Sequence, residues 1–184
     1  MALTESTMLP LGTIAPSFEL LDTISDKRLS LDELKSEKAT VIMFICNHCP
    51  YVIHVNEGLV TLANDYIPKG VSFIAISSND VEKYHVDSPE NMKAHAKDEG
   101  YPFPYLYDET QEVARAYDAA CTPDFYVFDS GMQLAYRGRL DESRPNSGIP
   151  VSGKELRNAL DAVLSGDKVS ELQIPSMGCN IKWK

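Results

Sequence analysis

Two of the chain's four cysteines stand three residues apart, in Cys46-Asn-His-Cys49-Pro50. A Cys-x-x-Cys pair does thiol–disulfide chemistry when one thiolate attacks a disulfide and the second thiol resolves the mixed disulfide. The residues before the pair, Val41 to Ile45, are apolar, and a helical pattern follows it. A strand that ends where a helix begins sets the pair at a helix N-terminus, whose unpaired N–H groups and dipole favour a thiolate. His48 lies between the two thiols; when protonated it would lower a thiol pKa further and make the pair more oxidising. Which sulfur leads is open. If the helix starts at Asn47, Cys46 caps it; if Pro50 takes its favoured first helical position, Cys49 becomes the cap.

The same residues suit a competing chemistry, a zinc or copper module built on Cys46, Cys49 and a further Cys or His. Such modules favour paired Cys-x-x-Cys knuckles, and the chain has one. Haem attachment needs His after the second Cys, where Pro50 stands. No metal and no cofactor are therefore expected. His54, His85 and His95 fall on polar stretches and are expected to be solvated, whereas Tyr66 and Tyr117 read as core.

The composition narrows the setting. A hydrophobic fraction of 43% and a charged fraction of 24% are those of a globular chain, and 184 residues suit one domain with its own core. A net charge of −10 opposes nucleic-acid binding, which needs a basic footprint. No apolar run approaches the ~20 residues of a membrane span. The first residues, Met1-Ala-Leu-Thr-Glu-Ser, show neither a basic nor an apolar signal region, so the cytoplasm is the expected compartment. There, cysteines are reduced at rest, which favours catalysis over structural staples.

The elements that must position the pair follow from periodicity. Ser30-Leu-Asp-Glu33 matches a capping box and predicts a short helix after a small hairpin around 25–27. Thr40 to Ile45 predicts a strand buried on both faces. Val52, Val55, Leu59, Leu62 and Tyr66 then recur at helical spacing, up to a stop at Pro68-Lys-Gly70. Val71 to Ser77 predicts a second buried strand, and the polar stretch 79–88 a loop. Ser88-Pro89-Glu90 opens a further helix. After a short extended piece at 102–107, Asp108 to Gln111 caps another helix. Asp124 to Asp129 and Gln133 to Arg137 predict an antiparallel hairpin across Ser130-Gly131, followed by a polar loop over 138–150. Ser152-Gly-Lys-Glu155 is a second capping box, before a last amphipathic helix that stops at Gly166. The tail from Ile174 has no helical period and holds the single Trp, at 183, and Cys179. The order predicts an α/β fold, a mixed central sheet with helices on both faces.

In that order the chain resembles the thioredoxin superfamily, and within it the redoxin branch of AhpC/TSA peroxiredoxins and TlpA-like thiol oxidoreductases. The resemblance rests on Gly12-Thr-Ile-Ala-Pro16-Ser-Phe18 with Leu20 and Asp22, on Phe44-Ile-Cys46-Asn-His-Cys49, on Thr122-Pro123-Asp-Phe125 with Val127 and Asp129, and on Ser130-Gly131 with Tyr136. It is most like the peroxiredoxin-like proteins that pair Asn-His-Cys-Pro-Tyr with a Gly-Cys-x-Ile-Lys-Trp tail. It implies a thioredoxin-like (glutaredoxin-type) three-layer fold with an N-terminal extension (1–37), a core (38–166) and a tail (167–184).

The resemblance also implies roles. Pro123, following Thr122 and cis, would lie against the pair and leave a backbone edge for a peptide-like substrate. Thioredoxin-like chemistry attacks with the first cysteine, while the peroxidatic position of peroxiredoxins corresponds to the second. The sequence departs from both: Ile45 replaces the Trp before the pair, and Cys46 replaces the Thr or Ser three residues before Cys49. Arg137 or Arg139 would be the anion-stabilising arginine of a peroxidase, or a surface charge. Cys121, two residues before Pro123, is a third redox thiol or a small buried residue. Cys179 resolves or shields the site from a flexible tail, or belongs to a docked tail anchored by Trp183. The expected function is a thiol–disulfide oxidoreductase in cellular redox homeostasis, cycling Cys46–Cys49. The alternative is a thiol-dependent peroxidase, a peroxiredoxin-like antioxidant using Cys49 or Cys46. Expected partners are a thiol or disulfide protein or small molecule, and a reductant such as thioredoxin or glutathione.

Overall fold

The computed structural model describes residues 3–184, so the first two positions of the expected extension lie outside the described residues. The chain opens with β1 (Leu3–Glu5) and a hairpin of β2 (Glu19–Asp22) and β3 (Lys27–Ser30). Ser30 caps α1 (Leu31–Leu34) by reciprocal bonds with Glu33, as the capping box predicts. β4 (Ala39–Phe44) then leads to α2 (Pro50–Tyr66), β5 (Val71–Ser77), α3 (Pro89–Asp98) and β6 (Tyr105–Tyr107). The rest is α4 (Glu112–Ala116), the short β7 (Cys121–Thr122), β8 (Asp124–Asp129), β9 (Leu134–Gly138), α5 (Lys154–Ser165) and β10 (Met177–Asn180).

Seven strands form the main sheet in the order β3-β2-β6-β5-β4-β8-β9. β4, β5 and β6 run parallel, joined by crossovers through α2 and α3, and the flanking strands are antiparallel. Every residue of β4 is buried, which is why its sequence is an unbroken apolar run. Side chains alternate between the two faces of a strand. Val41 and Met43 face a layer with Val52, Leu59 and Leu62 of α2, Met92 of α3 and Leu156 and Leu160 of α5. Ile42 and Phe44 face the other layer, with Leu31 of α1, Ala114 of α4, Tyr117, Tyr126 and Phe128. This is the mixed sheet with helices on both faces, the thioredoxin-like fold. Among the described residues no helix is long and apolar enough to cross a membrane.

One local expectation changes, and of the two tails the sequence left open the docked one is present. The capping box at the start of α5 does not form: its N-cap is Gly153, in the left-handed region (φ 66°), with no side-chain cap bond. Asp141 from the preceding loop takes that role, its Oδ2 accepting from the N–H groups of Ser152 and Gly153 at 2.6 Å each. The tail is docked rather than loose. β10 lies between β1 and β7 in a second, three-stranded antiparallel sheet, with Cys179 opposite Leu3 on one side and Thr122 on the other. Ile181 is buried, and the Arg115 guanidinium stands 4.5 Å from the centre of the Trp183 ring.

Candidate active site

Pro50 decides where α2 begins. It has no N–H to lose and its fixed φ suits the first helical position. Cys49 is therefore the N-cap, extended at φ −72° and ψ 121°, and its carbonyl accepts from Val52 and Ile53. Its side chain is fully buried at the positive end of a 17-residue helix. Cys46 lies two residues beyond the end of β4, at 2% exposure. Thr122 meets both sulfurs: its Oγ1 is 3.5 Å from Cys46 Sγ, and its carbonyl oxygen is 3.1 Å from Cys49 Sγ. The Thr122–Pro123 peptide is cis.

The environment separates the thiols. Hydrogen bonding from the Cys46 thiol is the largest influence on Cys49 and favours its thiolate; burial opposes it, and the Cys179 thiol, the Thr122 hydroxyl and the Val52 N–H add to it. The Thr122 carbonyl, an acceptor, favours the protonated thiol, but it is one group against four donors. Cys49 is therefore the sulfur held below the ordinary thiol range. Cys46 moves the other way: donating to Cys49 holds its proton, and burial and the Asp87 carboxylate reinforce this. Burial first, then donation to Cys49, pushes Cys179 up to about 12. Burial also raises Cys121, whose thiol faces the Pro123 carbonyl at 3.7 Å and the Ser176 carbonyl at 4.0 Å.

The turn between the cysteines is pinned by a residue that sequence reasoning missed. Asp87 is fully buried, and its Oδ1 accepts from the Asn47 N–H at 2.8 Å. Its Oδ2 accepts from Asn79 Nδ2 at 2.8 Å and stands 2.7 Å from His48 Nδ1. His48 stacks on Tyr84 with ring centres 5.4 Å apart, and neither of its buried ring nitrogens has a hydrogen-bond partner of good geometry, Nδ1 meeting Asp87 at ion-pair distance only. Asn47 also bonds the Val86 carbonyl and receives the Tyr105 hydroxyl. Nothing in the polar stretch 79–88 distinguishes Asp87 beforehand. The nearest signal is its place directly before the Ser88-Pro89 helix start.

Cys46, His48 and Asp87 each offer a donor atom within 4.8 Å of the others, the set that a metal ion would use. Both Asp87 oxygens already accept hydrogen bonds, so a cation would have to displace the Asn47 or Asn79 donor. The arrangement fits a carboxylate that orients His48 and the turn.

Other expected site residues sit apart. Arg139 is paired with Glu155 at 2.6 Å, and Arg137 bonds Gln173 at 2.8 Å, so neither guanidinium is aimed at a sulfur. A cavity of 30 Å³ beside Pro123, lined by Tyr51, Arg139 and Met177 among others, is not reached by any cysteine. Of the three histidines expected to be solvated, His85 is exposed, while His54 and His95 are half-buried. His95 is half-buried, edge-on to Tyr101, with its pKa lowered by burial, and His54 meets Ser143 at 3.1 Å. Asp124, directly after Pro123, is fully buried and raised by that burial to about 7. The backbone edge expected to await a peptide is occupied: β10 pairs along Thr122.

Comparisons with known proteins agree with this architecture. The AhpC/TSA family profile matches residues 11–137. An uncharacterised conserved protein from Geobacillus kaustophilus is 64% identical over 100% of this chain and 97% of its own, with a TM-score of 0.98. A hypothetical protein from Sinorhizobium meliloti 1021 is 44% identical over 98% of each chain, with a TM-score of 0.96. A thiol:disulfide interchange protein of the thioredoxin family from Chlorobium tepidum TLS shares the fold at 21% identity, covering 83% of this chain and 97% of its own, with a TM-score of 0.64. A search of curated proteins finds no match.

Proposed function

The chain belongs to the AhpC/TSA family, and from that premise we propose that it is a thiol–disulfide oxidoreductase in which Cys49 attacks and Cys46 resolves. The observation that carries the reading is Cys49 buried at the N-cap of α2, with the Cys46 thiol as the largest influence favouring its thiolate. The Cys49 thiolate attacks one sulfur of a disulfide and expels the other as a thiolate. Cys46 then gives up its proton and attacks Cys49, closing the Cys46–Cys49 disulfide and releasing the second substrate thiol. Closure consumes both thiols, so an external reductant such as thioredoxin or glutathione must reset them.

One observation favours a second reading, a thiol peroxidase with Cys49 as the attacking sulfur. Neither Cys46 nor Cys49 is more than 2% exposed, which suits a small oxidant. The thiolate would attack the terminal oxygen of a hydroperoxide, breaking the O–O bond and releasing the alcohol or water, and Cys46 would expel water from the resulting sulfenic acid. Equilibration with graded glutathione buffers tests the first reading: Cys46–Cys49 forms reversibly in the native chain and not in Cys49→Ser. A Cys49→Ser chain that still exchanges disulfides overturns the assignment. Peroxide consumption with sulfenic acid trapped on Cys49 selects the second.

A further inference from the structure

The Thr122 edge and the Cys49 sulfur are both engaged by the same four residues of this chain. β10 runs antiparallel to β7 with Cys179 directly opposite Thr122, the residue in contact with both site sulfurs. Cys179 and Cys49 are buried in one core cluster, and the Cys179 thiol favours the Cys49 thiolate. Gly178 is what allows the approach: a Cβ there would overlap the Thr122 carbonyl oxygen and stand 2.7 Å from its carbon. The strand is tied on both sides. Ser176 Oγ donates to the Pro123 carbonyl at 2.6 Å, the Ile181 N–H to the Ala120 carbonyl at 3.1 Å, and the Lys182 N–H to Asn79 Oδ1 at 2.8 Å.

We propose that β10 is a substrate segment built into the chain, which delivers Cys179 to Cys49 so that the two close a disulfide and clamp the tail over the site. The proposal rests on Cys49 being the attacking sulfur. Starting from the Cys46–Cys49 disulfide, the Cys179 sulfur attacks Cys49 and the Cys46–Cys49 bond breaks. Cys46 leaves as a thiolate and takes up the proton that Cys179 releases. The step is an isomerisation and needs no further oxidant. Two thiols thus compete to resolve Cys49: Cys46 resets the pair for turnover, while Cys179 stores the oxidation in a closed form. Strand pairing supplies the orientation that makes such an intramolecular exchange fast.

The test uses the full chain carrying Cys46→Ser and Cys121→Ser, so that Cys49 and Cys179 are the remaining thiols, treated with oxidised glutathione. The expected product is an intact protein two hydrogens lighter, without a glutathione adduct, whose peptide map joins Cys49 to Cys179. A lasting adduct on Cys49 with Cys179 still open to alkylation overturns the proposal and leaves the Cys49 assignment standing. A Cys49 that neither takes up glutathione nor bonds Cys179 overturns both. Adding Gly178→Ala unseats the strand and slows Cys49–Cys179 closure by about tenfold or more. An unchanged far-UV circular dichroism spectrum and cooperative urea unfolding show that the Gly178→Ala chain is folded. Closure by Cys179 at an unchanged rate in the Gly178→Ala chain overturns the role given to the strand.

Discussion

Replacing Cys46 by alanine should raise the pH at which Cys49 becomes reactive. The Cys46 thiol is the largest single influence holding Cys49 low, and alanine removes that donor without touching the helix N-terminus. A hydrogen bond to a charged group contributes about 1.5–3 kcal/mol. At ~1.4 kcal/mol per pKa unit, its loss moves the Cys49 midpoint up by roughly one to two units. Serine keeps a hydroxyl donor at the same place, so Cys46→Ser should move it less. The assay is timed iodoacetamide alkylation from about pH 4 to 9, read per peptide by mass spectrometry, with ordinary thiols titrating near ~8.5 as reference. The midpoint, not the rate, is the quantity to compare. A buried sulfur is slow to alkylate, and a low-pKa thiolate is intrinsically less nucleophilic. A native midpoint in the ordinary range, or an alanine variant whose midpoint matches the native one, would refute the reasoning.

Asp124→Asn should flatten the pH dependence of stability. Burial raises the folded-state pKa of Asp124 from 3.8 to about 7, so its contribution is fully present below about pH 4 and is lost as pH rises through about 7. The loss is on the order of 4 kcal/mol, an upper bound from ~1.4 kcal/mol per unit. Urea unfolding at pH 5 and pH 8 should show the native chain weakening and the Asn variant holding; parallel behaviour would rule out the assignment. Asp87→Asn removes a negative charge that raises Cys46, so the Cys46 alkylation midpoint should fall. It should also lower the melting temperature, because Asp87 serves Asn47, Asn79 and His48 together. A Cys46 profile identical to the native one would show that Asp87 does not act on that sulfur.

Elements whose burial is continuous or periodic were legible from residues alone. β4 is legible because both of its faces are covered, and α2 because Val52, Val55, Leu59, Leu62 and Tyr66 all point into one core layer. The position of the Cys46–Cys49 turn follows from the junction between them. What stayed hidden is long-range and set by single residues. Asp87 acts on Asn47 across forty positions from a polar loop with no period. Asp141 caps α5 from eleven residues or more upstream, where the local Ser152–Glu155 pattern pointed to a nearer cap. β10 is short, alternates weakly and is stabilised by its neighbours β1 and β7, so nothing in Met177-Gly-Cys-Asn180 announces a strand. Gly178 was the available clue, and its meaning requires knowing that the Thr122 carbonyl lies against it.

The departures from both parent patterns have one physical origin. A peroxiredoxin-like site would place a Thr or Ser hydroxyl three residues before the thiolate, and the thiolate would accept its hydrogen bond. Here Cys46 fills that place and, as a thiol, can still donate to Cys49. Unlike a hydroxyl, it can also form a bond with the sulfur it stabilises. The substitution therefore keeps much of the electrostatic support for a thiolate and adds a resolving group within contact distance. Pro50 completes the inversion relative to a thioredoxin-like pair. By starting α2 after Cys49, it gives the helix N-terminus to the second cysteine and leaves Cys46 outside the helix with its proton. On this reading Cys-x-x-Cys-Pro is not a thioredoxin motif with a changed neighbour. It is a pair in which a second thiol stands where the supporting hydroxyl would be, and the proposed role of Cys179 would give Cys49 a further partner.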